Sequence, residues 1–227
     1  MMHSRAALRK RARSLWRHFV LRKSPQARDG DWSEYYEAAE RDAASQWLII
    51  EPYLKEMPRP DLSMVLDFAC GRGRIAEHFA DISGRLICAD ISEDAIKICR
   101  QRFATRSNVE CVVNGNGNIP LPSECITFLY SWDAMVHFSS LELEEYFTEF
   151  ERVLKPDGMG LIHHSNYAAL SNVARPWQHN PGSRAFVSAE DVQRISEKCG
   201  LTIIKQQVID WSYLNLDCIT MLKKQKL

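Results

Sequence analysis

The sequence predicts an α/β fold in which a mostly parallel β-sheet is covered by helices on both faces. Three observations carry that expectation. Short apolar runs alternate with segments of helical periodicity from about residue 63 onward. The last two strands, LTIIKQQVI and YLNLDCITML, are joined by only a few residues around Asp210 and Trp211. So short a link cannot make a parallel crossover, so these two strands must pair antiparallel. Finally, 227 residues suit one α/β domain with a real core and small additions.

The first element is a basic extension, residues 1–31. Residues 1–28 hold nine Lys/Arg and no acid, and Leu8, Ala12, Leu15, Trp16 and Phe19 recur at helical spacing. Three uses fit this stretch. It is a solvated leader whose apolar face packs on the domain, a helix that lies on an anionic membrane surface through residues 5–23, or a targeting sequence. SPQARDGD, residues 24–31, reads as a loop joining it to the body. The body is residues 32–227. Ser33 is placed to cap a helix running to about Met57, stopped by Pro58 and Pro60. Its aromatic residues Trp32, Tyr35, Tyr36, Trp47 and Tyr53 make residues 32–57 a lid or a packed lead-in.

Strands and helices then alternate. SMVLDFA is a strand and RIAEHFADIS a helix, RLICAD a strand and SEDAIKICRQRFA a helix. NVECVV and CITFLYS are strands, a helix follows near LELEEYFTEFERVL, and GMGLIHH is a strand. AEDVQRISEKC is a helix before the closing antiparallel pair. The chain is formally neutral and has no apolar run of bilayer length, so a soluble, cytoplasmic protein is expected, peripheral to a membrane if its basic extension binds one. The seven cysteines form no CxxC pair and several lie within apolar runs. They read as small buried hydrophobes in a reducing compartment, with no metal site expected.

The chemistry concentrates where the first strand ends. VLDFACGRGR carries Gly71 and Gly73 just past that strand, and LICAD ends in Asp90. Glycines allow a sharp turn and close approach of a ligand, and an acid at the end of the second strand can accept hydrogen bonds from ribose hydroxyls. Gly71-Arg72-Gly73-Arg74-Ile75-Ala76 also fits the GxGxx(G/A) dinucleotide pattern, with Asp90 19 residues after Gly71. Asp67 weighs against a pyrophosphate. A negative charge at the mouth of the loop would instead suit a ligand carrying an ammonium and a sulfonium.

VLDFACGRGRIAEHFA resembles the first motif of class I S-adenosylmethionine (SAM)-dependent methyltransferases. LICADISEDAIKICRQRF is similar to their second strand and helix, NGNGNIPLPSECITFLYSWDAMVHF to their adenine-binding turn and fourth strand, and FERVLKPDGMGLI to the helix, turn and strand that follow. The resemblance implies a Rossmann-like seven-stranded sheet of order 3-2-1-4-5-7-6 with strand 7 antiparallel. It implies SAM as cofactor, with Asp67, Ala69, Gly71 and Gly73 around its methionine part and Asp90 on the ribose. It also implies Ile91, Asn116, Gly117 and Ser131 against the rest of the cofactor. Ala69 stands where a glycine is usual, and Asn116 where the family commonly has Asp. The amide oxygen of Asn116 can still accept from an exocyclic amine.

Methyl transfer is an in-line displacement, so the enzyme mainly holds the acceptor aligned, and an alcohol acceptor also needs a base. His164 and His137 are the candidate bases. Asp133 lies four residues before His137, on the same face if that segment is a helical turn. His163 and His164 are neighbours on a strand, so they point to opposite faces. Residues 165–187 form a long acceptor-side loop. Within and beside it, Trp132, Asn166, Tyr167, Trp177 and His179 are candidate substrate contacts, suited to a polar ring such as a sugar. The expected activity is methyl transfer to a small molecule or glycan, at a hydroxyl oxygen. SWDAM replaces the Asn-Pro-Pro-Tyr type segment of many base and protein methylators, so no nucleic-acid partner is expected. The alternatives are an NAD(P)-dependent oxidoreductase and a SAM-binding protein without catalysis.

Overall fold

The computed structural model describes residues 40, 43–115, 117–170, 184–211 and 213–226. The basic extension 1–31 lies outside the described residues. So does the first part of the predicted lid helix, whose described part is α1 (Ala43–Glu56). The compact unit from Ala43 onward then runs β1 (Met64–Phe68), α2 (Ala76–Ile82), β2 (Arg85–Asp90), α3 (Glu93–Arg102), β3 (Val109–Val113) and β4 (Ile126–Ser131). It continues with α4 (Ser140–Val153), β5 (Leu154–Ser165), α5 (Ala189–Lys198), β6 (Leu201–Trp211) and β7 (Tyr213–Lys224). No described helix is long and apolar enough to cross a membrane.

The seven strands form one sheet of order β3-β2-β1-β4-β5-β7-β6. The pairs from β3 to β5 are parallel, and β7 runs antiparallel to both β5 and β6. The short link between β6 and β7 closes a hairpin in which Trp211 faces Tyr213, as the linker length required. Side chains alternate between two cores because successive residues of a strand point to opposite faces. Val65, Cys88, Phe128, Tyr130 and Leu161 pack beneath α1, α2 and α3. Their neighbours Leu66, Ile87, Leu129 and Ile162 pack beneath α4 and α5.

The helices sit where local sequence starts them. Ser92 caps α3 by accepting from the Ala95 N–H, and Ser139 with Glu142 and Ser188 with Asp191 form capping boxes on α4 and α5. In α4, Leu143, Tyr146, Phe147, Phe150 and Val153 recur at three- and four-residue spacing and are all buried. β5 is longer than GMGLIHH, because Lys155–Gly158 continue the strand through an irregular register opposite β4. Phe150 is fully buried and packs edge-on to Phe68. Phe150→Ala is expected to lower the free energy of unfolding by about 3–5 kcal/mol, through lost burial plus the cavity left behind. Urea unfolding measures it.

Candidate functional site

The parallel register sets the carboxyl ends of β1, β2 and β4 near one another, where open α/β sheets receive ligands. Asp90, the last residue of β2, is buried there and ties two strand ends together. Its Oδ2 accepts from the Gly71 N–H at 2.8 Å and its Oδ1 from the Ser92 N–H at 2.9 Å. Burial raises its pKa, and the Ser92 and Gly71 donors pull against that rise. A carboxylate offers about four lone-pair sites, so acceptor capacity remains for ribose hydroxyls.

The turn after β1 is left-handed at three places: Ala69 (φ 59°), Gly71 (φ 54°) and Gly73 (φ 81°). At Gly73 a Cβ would stand 2.7 Å from Phe103 Cε2 and 2.9 Å from Cys99 Sγ, so only glycine fits. At Ala69 the cost of replacing glycine lies in the backbone rather than in the size of the methyl. A left-handed L-residue costs roughly 1–2 kcal/mol.

Asp67 requires a correction. It is not an open charge at the mouth. Its carboxyl is buried and accepts from the Tyr130 hydroxyl at 2.7 Å, and burial pushes it well above the usual carboxylate range despite that bond.

At the ends of β3 and β4, Asn114 Oδ1 and Ser131 Oγ are buried and have no hydrogen-bond partner among the described residues. An unsatisfied buried polar atom costs about 1–3 kcal/mol. These two polar atoms stand at the same carboxyl end of the sheet as Asp90 and the Gly71–Gly73 turn, polar groups of the kind a nucleoside cofactor pairs with, so the residues present fit one. Ile91, beside Asp90, offers an exposed apolar surface. The adenine-side segment is held by α4. Ile119 N–H donates to Glu149 Oε2, and Arg152 donates to the Ile119 and Leu121 carbonyls while pairing with Glu149. The Gly117 N–H is taken by Tyr146 Oη at 3.3 Å, and Asn116 lies outside the described residues.

The acceptor side departs further from expectation. Asp133 has φ 57°, so the chain leaves β4 through a left-handed residue and only Met135–His137 form a 3-10 turn. Asp133 and His137 are therefore not on one helical face. The Asp133 carboxylate goes to Arg74 Nη2 at 3.0 Å and faces Arg184 Nη2 at 3.9 Å. His137 is half-buried at the end of the turn.

His164 is not the acceptor-facing member of its pair. Its ring is fully buried, Nδ1–H donates to the Ser165 carbonyl, and Nε2 accepts from the Thr220 hydroxyl at 2.7 Å. Burial lowers its pKa to about 4. His163 points the other way, where its Nδ1 accepts from the Asp133 N–H and its Nε2–H donates to Asp217 Oδ2 at 3.0 Å. Burial raises the Asp217 carboxyl, but His163 and Arg184 outweigh it and hold that carboxyl below its usual range.

Trp132 and Asn166 are also structural. Trp132 is buried against His163 and Trp211 and donates Nε1–H to Gln46 Oε1 of α1. Asn166 Oδ1 accepts from the Ala189 N–H that begins α5, and its Nδ2 donates to the Asn215 carbonyl. Tyr167 is half-buried and meets the exposed Phe186 edge-on. Trp177 and His179 lie outside the described residues. Sequence reasoning missed Gln46 and Asp217, and saw Arg184 only as a polar residue of the 165–187 loop and Arg74 only as part of the glycine motif; the four join α1, the glycine turn, β4 and β7. An acid inside the apolar LDCITML run was the available signal for Asp217.

Comparison with known proteins agrees with this geometry. Residues 65–158 match the family described as a methyltransferase domain. The chain is 26% identical over 136 residues to the malonyl-[acyl-carrier protein] O-methyltransferase of Yersinia pestis, covering 60% of this chain and 49% of that protein. It is 31% identical over 107 residues to the ubiquinone/menaquinone biosynthesis C-methyltransferase UbiE of Pseudomonas entomophila, covering 43% and 40%. The chain thus spans about half or less of the length of these curated relatives. Among solved structures, the PH0226 protein from Pyrococcus horikoshii OT3 shares the fold with TM-score 0.66 at 24% identity, covering 80% of this chain and 91% of that one. A SAM-dependent methyltransferase from Clostridium acetobutylicum shares it with TM-score 0.62 at 15% identity, covering 78% and 89%.

The burial of His164 predicts a pH dependence. Its folded pKa of about 4 lies below the unfolded 6.5, so the unfolded chain binds the proton more readily. Stability from this group is fully present above pH 6.5 and is lost as pH falls to about 4, by about 3 kcal/mol in total. His164→Gln, whose amide can still meet Thr220, should flatten that part of a stability-versus-pH curve from urea unfolding.

Proposed function

We propose that this chain, whose residues 65–158 match the methyltransferase-domain family, is a class I SAM-dependent methyltransferase that transfers a methyl group to a small-molecule or glycan acceptor at a hydroxyl oxygen. SAM supplies an activated methyl on a sulfonium when bound. One observation carries the reading. The Gly71–Gly73 turn is hydrogen-bonded to Asp90 across two strand ends, with the unsatisfied Asn114 Oδ1 and Ser131 Oγ on the next strand ends. That arrangement fits a nucleoside with a short polar tail. Asp90 holds the ribose, and the left-handed turn lets the methionine part approach the backbone. The curated relatives named above are methyltransferases, which weighs against the nicotinamide-dependent alternative.

His163 and His164 are fully buried whereas His137 is half-buried, so His137 is the candidate base for an alcohol acceptor. Tyr167 and the exposed Phe186 offer aromatic surface beside the acceptor-side loop. An O-methyltransferase among the relatives supports oxygen as the acceptor atom, while the C-methyltransferase keeps an acidic carbon as the competing case.

Calorimetry with S-adenosylhomocysteine and with NADH tests the class. Binding of the first and none of the second is expected, and the reverse would sink the reading. Asp90→Ala should weaken S-adenosylhomocysteine binding more than tenfold, because the ribose loses charge-assisted hydrogen bonds. His137→Ala should cut turnover on an acceptor found by screening extracts with labelled SAM, while leaving cofactor affinity unchanged. Undiminished turnover would mean that the acceptor needs no base from this residue.

A further inference from the structure

Four cysteines spread over 42 residues of sequence converge in space. Cys70 follows β1, Cys88 lies in β2, Cys99 in α3 and Cys111 in β3. The Sγ atoms of Cys70, Cys88 and Cys99 all lie within 4.8 Å of one another. Cys111 Sγ–H donates to Cys99 Sγ at 3.5 Å and adds the fourth thiol. The expected burial holds for Cys70, Cys88 and Cys99, and their convergence adds what the spacing did not predict. No CxxC spacing announced the cluster, because its members come from four elements that only the sheet and its covering helix bring together.

We propose that these four thiols form a binding site for one zinc ion, which braces the glycine turn. A tetrahedral Zn–S₄ unit with Zn–S of about 2.3 Å has sulfur-to-sulfur edges of about 3.8 Å. The mutual spacings within 4.8 Å of Cys70, Cys88 and Cys99 and the 3.5 Å spacing of Cys111 from Cys99 bracket that value, and the Cys111 thiol, which stands outside the group of three, has to turn inward to complete the set. Cys88 and Cys99 are fully buried, Cys70 is nearly so, and half-buried Cys111 marks the side of entry. Each thiol that ligates gives its proton to solvent, and the resulting thiolates carry a net charge of −2 with the ion. Arg100 and Arg102 on α3 offset that charge: Arg100 donates to the Cys111 carbonyl at 3.0 and 3.3 Å, and Arg102 lies near Cys99.

The site is joined to the turn by contact. Cys70 immediately precedes Gly71, its carbonyl accepts from the Gly73 N–H at 3.0 Å, and Cys99 Sγ leaves no room for a Cβ at Gly73. An ion held by Cys70 and Cys99 would therefore fix both ends of the left-handed turn. The inference rests on the thiols alone and stands apart from the methyltransferase reading.

Cobalt substitution tests it. The reduced full-length chain, stripped by chelator, is titrated with Co²⁺ and then with Zn²⁺. The expected result is a sulfur-to-cobalt charge-transfer band with tetrahedral visible bands, saturating at one Co²⁺ per chain and bleached by one Zn²⁺. Cys99→Ser/Cys111→Ser should lose the band, and Cys125→Ser/Cys199→Ser should keep it. Absence of the band in the reduced wild-type chain, or its persistence in Cys99→Ser/Cys111→Ser, would overturn the proposal. X-ray absorption of the zinc-loaded wild-type chain needs no variant. Four sulfur neighbours at about 2.3 Å are expected, and a shell of mainly nitrogen or oxygen would refute it.

Discussion

The Asp217 carboxylate, fully removed from water in β7, is the constraint on which the acceptor side depends. A buried charge is costly unless it is paired and hydrogen-bonded. Arg184 meets it with Nε at 2.9 Å and Nη2 at 2.7 Å, and His163 donates from β5. Removing one partner of such a pair costs about 3–5 kcal/mol, so the positions of Arg184 and His163 are dictated. The chain that returns at Arg184 is pinned next to the end of β4, where the Ala185 N–H donates to the Val136 carbonyl. From Arg184 the chain of charges passes to Asp133 and then to Arg74 at the glycine turn, which donates a hydrogen bond to the neutral Gln46 amide of α1. One buried acid thus links four parts of the fold around the crevice.

The same sheet gives two adjacent histidines opposite fates. The two-residue period sends His163 toward Trp132 and Trp211, and His164 toward Thr220 and Gln206. Both become structural, since each ring nitrogen has a partner inside the protein. What separates them from a working base is burial, and sequence position does not reveal it. His137 is half-buried and stands at the end of the short turn that follows the left-handed Asp133.

The glycine turn is supported from both sides. Asp90 holds its front through the Gly71 N–H, and the thiols of Cys70 and Cys99 lie behind it. The Asp67 carboxyl at the end of β1 is tied to the Tyr130 hydroxyl of the neighbouring strand β4. A ligand that needs close backbone approach therefore meets a turn whose shape is set before it arrives, which lowers the ordering cost of binding.

The sequence by itself determined the element order, the antiparallel closing hairpin, the glycine turn and the acid at the end of β2. These are local properties: periodicity, linker length, and residue types whose backbone or charge has one economical use. It also showed which strands carry histidines and that the two in β5 must diverge. Only the tertiary structure decided which way each one faces, where Asp133 spends its charge, and that Asn166 and Trp132 are held inside the fold. It alone brought Asp217 to Arg184 and gathered Cys70, Cys88, Cys99 and Cys111. Those contacts join residues far apart in the chain. Register and packing across the sheet, which no short window of sequence contains, determine them.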